Sequence, residues 1–200
     1  LIECGVTTDH CRDLLHAFKR DATYLRYTDW NDLRFGYCRL SASPVGRYLL
    51  DLHGEDRAGW PASDALCDAL QVLNHLQDCQ ADYRALDRVY LPLDWMRAEG
   101  ATVEELDGTQ SSPGLRRVID RCLIATEGLL VEARKLPGLL HDRRLAMESA
   151  AIVRIADKLT RALQARDPVA GRVQLTKLQF MGCCAAGAIG VLLSPRPQGR

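Results

Sequence analysis

Four oxygen-bearing side chains stand at helical spacing in Gln71-Val-Leu-Asn74-His-Leu-Gln-Asp78-Cys-Gln-Ala-Asp82. At about 100° per residue, Gln71, Asn74, Asp78 and Asp82 fall within one narrow stripe. Leu66, Ala69, Leu70, Leu73 and Leu76 lie on another side of the same helix and are suited to packing. Two carboxylates one turn apart repel, at roughly 0.2–0.5 kcal/mol in a bare helix, so the Asp-x-x-x-Asp pair is unfavourable unless a positive charge sits between its members. A hard cation meets that need. Mg²⁺ takes oxygen ligands, keeps several waters, and is held by one or two carboxylates plus the phosphates of a substrate. The geometry suits a diphosphate. For the acid pair alone, a solvated surface helix is the competing reading; amides in register with the acids favour a polar cavity wall.

Helical periodicity positions these residues and dominates from end to end, with no long stretch of period-two alternation. The expected fold class is all-α. Helices are expected near Cys11–Arg26, Asn31–Leu40, Val45–Leu52, Ser63–Ala85, Leu93–Ala98, Pro113–Lys135, Arg143–Ala165 and Arg172–Leu193. Breaks fall at Gly54 to Pro61, Gly100 to Pro113 and Leu136-Pro137-Gly138. Ser63 reads as an N-cap, and Thr102 as the start of a short helical turn. Residues 1–200 read as a single domain, with 194–200 as a disordered tail.

The 200 residues carry 47% hydrophobic and 26% charged side chains and a formal charge of zero. That is an ordinary globular composition with no global field for nucleic acid, so phosphate binding must be local. The eight cysteines show no regular framework and no Cys-x-x-Cys. This removes the usual zinc and thioredoxin-type readings and points to free thiols in a reducing cytoplasm. Phe180 to Leu193 runs without a charge but is short for a spanning helix; its Gly182, Ala185, Ala186, Gly187 and Gly190 would allow close helix packing. Asp9 and Asp13 repeat the acid spacing without aligned amides and read as a solvated helix start. The five histidines form no ligand-spaced pair, and none is assigned to catalysis.

The segment Asp78-Cys-Gln-Ala-Asp82-Tyr-Arg-Ala-Leu-Asp-Arg88-Val-Tyr90-Leu91-Pro92 resembles the second aspartate-rich motif of the squalene/phytoene synthase family. That motif carries Gln and Asn before Asp-x-x-x-Asp, then Arg-x-Tyr-Leu-Pro. A second match lies at Tyr37-Cys-Arg-Leu-Ser41-Ala42-Ser-Pro44-Val45-Gly46-Arg47. Pro-Val-Gly-Arg, Asn-His-Leu-Gln-Asp, Arg26-Tyr-x-x-Trp30 and Arg172-Val-x-Leu-x-Lys177-Leu together resemble the bacterial hopanoid-pathway branch, the hydroxysqualene synthases. Matching residues run from about Asp21 to about Leu178. The family's first aspartate-rich motif has no counterpart ahead of Tyr37, so the chain reads as the C-terminal portion of a longer enzyme. Asp87 stands where the family often has Gly.

The resemblance implies an isoprenoid-synthase-type helical bundle around a deep apolar pocket, incomplete in this chain, with its acidic mouth at Asp78 and Asp82. It implies Mg²⁺-dependent head-to-head terpenoid chemistry on presqualene or farnesyl diphosphate, giving hydroxysqualene or squalene. Asp78, Asp82 and Asn74 are the implied metal residues; Asp78, Asp82 and Tyr90 the catalytic ones. Tyr37, Ser41, Ala42, Val45, Gly46, Gln71, Asn74 and Arg88 are the implied substrate-binding residues, with Arg88 on the diphosphate. Without the resemblance, the Tyr37–Gly46 segment reads equally as a core helix kinked at Pro44. Expected partners are the prenyl diphosphate, a peripheral membrane contact and other hopanoid-pathway enzymes, with no nucleic acid. A phytoene synthase, and a non-catalytic binding or assembly protein on the same fold, are the alternatives.

Overall fold

The computed structural model of the protein describes residues 5–194. Among the described residues ten α-helices follow in order: α1 (Asp9–Asp21), α2 (Trp30–Leu33), α3 (Arg39–Ser41), α4 (Ser43–Leu52), α5 (Trp60–Leu86), α6 (Leu93–Ala98), α7 (Pro113–Ala133), α8 (Leu136–Leu139), α9 (Arg143–Ala165) and α10 (Lys177–Leu193). The fold is all-α apart from two short strands. Residues 195–200, most of the expected disordered tail, and Cys4 lie outside the described residues; Ser194 closes α10.

The centre is α5, whose buried Ala62, Ala65, Leu66, Ala69, Val72, Leu73, Leu76 and Cys79 recur every three or four residues. It packs against α4, α7 and α9, so it is covered from more than one side. The helix begins at Trp60, three residues before the expected cap. Pro61 fits the first turn, where its missing N–H is no loss, and Ser63 is buried inside the helix. Ser112 caps α7 by accepting from the Leu115 N–H. The last helix starts at Lys177 rather than Arg172, because Thr176 and Gln179 form a reciprocal capping box that fixes its first turn. Arg172 is thereby left in the preceding loop.

Two differences from the expected helices bear on the site. The run Trp30–Ser41 is helical but contains a π-helical stretch at Arg34–Cys38, which buries Tyr37 and Cys38. The expected α1 ends at Asp21, and Arg26–Tyr27 (β1) instead pairs in parallel with Val89–Pro92 (β2). Two residues are too few to show a period in sequence. The pairing ties the chain after α1 to the chain after α5, and so brings Asp21 beside Arg88. Asp87 ends α5 at φ +51°, in the left-handed region that favours glycine. That explains the family's preference there, and the Asp87 carboxylate is held by Arg26.

Among the small residues of α10, Gly187 is the one at the closest backbone approach. A Cβ there would lie 2.5 Å from the Ala151 nitrogen and 2.6 Å from its Cα on α9, whereas a Cβ at Gly182 would meet nothing within 4 Å. Gly187→Ala is expected to destabilise by about 2 kcal/mol through overpacking, lowering Tm by roughly 4–8 °C. Gly182→Ala should hold or raise Tm, since Ala is the better helix former by roughly 0.5–1 kcal/mol. Circular-dichroism melting compares the two; equal melting temperatures would contradict the contact.

The cysteines from Cys11 to Cys184 are free, with Cys38, Cys79, Cys122 and Cys183 buried. Among the described residues, no helix is long and apolar enough to cross a membrane.

Candidate functional site

The acidic stripe lies on the C-terminal half of α5. Gln71, Asp78 and Asp82 are half-buried and Asn74 is exposed. Asp78 is engaged by Arg172, which the sequence had offered only as the start of a family-like segment: its Nε lies 2.9 Å and its Nη2 3.2 Å from the two carboxylate oxygens. This two-point pairing puts one positive group where the spacing called for one. Asp82 has its pKa raised, first by burial and then by the Asp78 charge, with Arg88 and Arg172 opposing.

A raised carboxylate pKa favours the protonated form in the folded state. Its contribution to stability is therefore present below the unfolded pKa and lost as pH rises through the folded value. Asp82→Asn should accordingly be more stable than the parent at pH 7, and the gap should close as pH falls below the usual carboxylate range. Denaturant midpoints at pH 7 and pH 4 test this; a gap that widens on acidification would reverse the sign.

Behind the acids sits an aromatic cluster drawn from separate parts of the chain. Tyr37 comes from the π-helical stretch, Tyr27 from β1, Tyr90 from β2 and His75 from α5. The Tyr27, Tyr37 and Tyr90 ring centroids are 5.6 Å apart pairwise, and His75 stacks on Tyr90 at 3.4 Å. Arg88 braces the cluster. Its Nη1 donates to the Tyr90 hydroxyl at 3.2 Å and its Nη2 to the Asp21 carbonyl at 2.7 Å. The Asp21 carboxylate in turn accepts from Tyr37 at 3.1 Å. Burial raises the pKa of all three tyrosines, so the hydroxyls stay protonated at neutral pH.

His75 is fully buried, and its pKa is pushed down to about 3 by desolvation and then by Arg88. Gln71 Nε2 donates to His75 Nε2 at 3.1 Å, which leaves the hydrogen of the neutral imidazole on Nδ1. His75 lies only about 40° around the helix from Gln71, so its place beside the stripe was open to view. What sequence could not supply was the ring stacked against it. Asp21 was read only as the start of the family-like stretch, with no role of its own.

The structure thus gathers Gln71, Asp78, Asp82, Arg88, Tyr90 and Tyr37, with Asn74 on the same stripe. The α4 side is arranged differently. Ala42 is buried, and Ser41 is half-buried with its hydroxyl unpartnered. A Cβ on Gly46 would lie 2.4 Å from Ser63 Oγ and 2.7 Å from Cys67 Sγ, so Gly46 lets α4 lie close on α5. Val45 is exposed along one edge of α4 with Leu49 and Leu52. Two large grooves, of about 780 and 790 Å³, have other linings: one follows α9 and α10, the other is walled by Trp30, Trp60 and four arginines. An enclosed void beside His75 and Tyr90 measures about 10 Å³.

A second acid pair on α5, Asp64 and Asp68, has the same spacing but a different fate. Both are buried. Arg39 and Arg47 converge on Asp64, and Asp68 accepts from Arg34 and Ser43, each at 3.0 Å. These acids are already neutralised inside the protein and serve as a brace between α3, α4 and α5.

A profile of the squalene/phytoene synthase family matches residues 1–179. The chain is 48% identical over 181 residues to a hydroxysqualene synthase of Rhodopseudomonas palustris, covering 90% of this chain and 62% of that protein. It is 46% identical over 188 residues to a hydroxysqualene synthase of Zymomonas mobilis, covering 94% of this chain and 63% of that one. It therefore spans less than two thirds of these relatives' length. Among solved structures, a squalene synthase of Alicyclobacillus acidocaldarius superimposes with a TM-score of 0.76 at 34% identity, over 82% of this chain and 62% of that one. A ligand-bound dehydrosqualene synthase at 19% identity, with a TM-score of 0.79 over 94% of this chain and 66% of the other, shows the fold alone. The chain belongs to the squalene/phytoene synthase family.

Proposed function

We propose that this chain carries one side of the site of a head-to-head terpenoid synthase that converts presqualene or farnesyl diphosphate to hydroxysqualene, with water ending the reaction; squalene would in addition require an external hydride donor. The observation that carries the reading is the grouping of Asp78, Asp82, Arg88 and Arg172 at one end of α5, with Arg88 hydrogen-bonded to Tyr90 of the aromatic cluster. Carboxylates and guanidiniums together suit a metal-bound diphosphate, and the buried aromatic cluster joined to them through Arg88 suits the dry surroundings a carbocation needs. The names of the 44–48% identical relatives support the same chemistry.

The donor set fits Mg²⁺, because Asp78, Asp82, Asn74 and Gln71 offer only oxygen ligands. Among the described residues, no three His, Cys, Asp or Glu side chains gather, so two carboxylates would share the ion with water and phosphate. When bound, the ion supplies neutralising charge to the leaving diphosphate. Asp78 and Asp82 hold it, and Asn74 and Gln71 orient its shell. Arg172 gives up Asp78 for the phosphate oxygens, and Arg88, already fixed against Tyr90, is the second phosphate contact. Tyr90, whose hydroxyl takes the Arg88 hydrogen bond, lines the mouth with Tyr37, and the buried cluster keeps bulk water from the cation. Ser41 and Ala42 are the residues of this segment left to line the prenyl chain, since Gly46 is packed against Ser63 and Cys67 and Val45 is exposed. The setting is cytoplasmic, with the exposed Leu178, Met181, Ile189 and Leu193 of α10 supporting contact with a membrane surface that receives the oily product.

The test is pyrophosphate release from presqualene diphosphate and from farnesyl diphosphate, with and without Mg²⁺, using the polypeptide at its relatives' length. Metal-dependent release with a triterpene alcohol or hydrocarbon is expected. Folded protein that releases none would favour a binding or assembly role, and turnover only of longer prenyl diphosphates would favour a phytoene-type synthase.

A further inference from the structure

One face of α10 is apolar and open to solvent. Leu178, Met181, Ile189 and Leu192 are 81%, 67%, 54% and 53% exposed, and at about 100° per residue they fall within roughly 80° of one another. They make a stripe about 21 Å long, on the side of the helix away from Cys183 and Gly187, which meet α9. A contiguous apolar patch with a polar rim marks a surface that something covers. Here the rim is basic. Arg154, Lys158 and Arg161 fall within about 60° of one another on α9 and line a groove of about 780 Å³ between α9 and α10. Gly182, on the α10 wall of that groove, is about 20° around the helix from Ile189 and about 40° from Leu178, so the groove opens along the edge of the stripe. Arg154 reaches across it: a Cβ on Gly190 would lie 3.5 Å from its Nη2. Asp157, the acid in the lining, is held by Arg134 at 2.5 Å, and among the described residues Arg154, Lys158 and Arg161 have no ion-pair partner.

We propose that α9 and α10 together form a docking face for an anionic phospholipid membrane, an inference that rests on the membrane contact proposed above and names its lipid and its headgroup site. The α10 stripe enters the boundary of the acyl chains, and lipid phosphates settle in the groove against Arg154, Lys158 and Arg161. Anionic headgroups stand at the rim of the hydrocarbon, the same order in which the cations and the apolar side chains stand here. The chain as a whole is neutral, so the attraction is confined to this face. A second copy paired through the same face would bring the same stripe and the same cations, with no free carboxylate to meet them.

Co-sedimentation of the relatives'-length polypeptide with vesicles tests this, comparing phosphatidylcholine alone with phosphatidylcholine mixed with phosphatidylglycerol. The mixed vesicles should bind about 100-fold more tightly, the effect of three cations near an anionic surface, and the difference should shrink as salt is raised. Replacing Arg154, Lys158 and Arg161 together by Gln should erase it. Met181→Ser with Ile189→Ser should weaken binding to both kinds of vesicle by about tenfold or more. These side chains are exposed or half-buried, so melting temperatures should match the parent's; if a variant does not fold, the salt dependence of the parent carries the test. Equal binding to both vesicles, or an unchanged affinity in the triple Gln variant, overturns the anionic site and leaves the membrane contact standing. Binding to neither overturns both. A dimer that Met181→Ser with Ile189→Ser dissolves, in a protein that ignores vesicles, gives the stripe to a second copy instead, and stabilisation by inorganic phosphate in such a protein gives the groove to a free anion. Pyrophosphate release enters none of these readouts, so failure of the synthase reading shows separately.

Discussion

Asp78→Asn should lower Mg²⁺-dependent pyrophosphate release by about 100- to 1000-fold, the range seen when one preorganised electrostatic contact is removed from an active site. The amide keeps the shape and one oxygen but not the charge, and charge is what a diphosphate leaving group requires. The fold should survive. The Asp78–Arg172 pair is partly exposed, with the arginine side chain 57% open to solvent, and such pairs are worth about 0–1 kcal/mol. A near-normal melting temperature with collapsed turnover would place Asp78 in the chemistry. Turnover within threefold of the parent would remove the acid pair from it. If raising Mg²⁺ recovers the rate, the loss lies in metal affinity rather than in the step itself.

The largest expected effect on stability lies elsewhere on the same helix. Asp64→Ala removes the carboxylate shared by Arg39 and Arg47, of which the Arg47 side chain is only 17% exposed. Breaking a buried pair by deleting one partner strands a charge, which destabilises by about 3–5 kcal/mol. Because Arg39 is 43% exposed and can turn to water, the lower figure applies, giving a Tm about 6–12 °C lower. Asp64→Asn should fall between, since it keeps an acceptor oxygen but no charge. Metal binding should be unaffected in either variant, which separates this brace from Asp78 and Asp82 despite the shared spacing. A melting temperature unchanged in Asp64→Ala would mean that the arginines find other partners.

The two acid pairs show where sequence reasoning stops. In sequence, Asp64/Asp68 and Asp78/Asp82 are the same motif, each one turn apart on an amphipathic helix. What separates them is which side chains arrive from elsewhere. Three arginines from the Arg34–Arg47 region close over the first pair, while among the described residues the second meets Arg172 and the fringe of Arg88. Arginines are common on helices, and nothing local says which will face an acid some ninety positions away.

Local chemistry determined a good deal by itself. Apolar spacing of three and four residues fixes α5, α7 and α9, and the bounds of α6 and α9 fall as read from the sequence, because a helix closes its hydrogen bonds within itself and leaves its periodicity in the chain. The Gln71–Asp82 stripe is legible for the same reason. Tertiary structure alone decided that a two-residue strand would tether the end of α1 to Arg88, that Tyr27, Tyr37, His75 and Tyr90 would stack, that Gly187 rather than Gly182 would carry the close contact, and that Arg172 would sit on Asp78. Each joins residues far apart in sequence through contacts whose geometry depends on every helix between them, and side-chain spacing along one element carries no record of that.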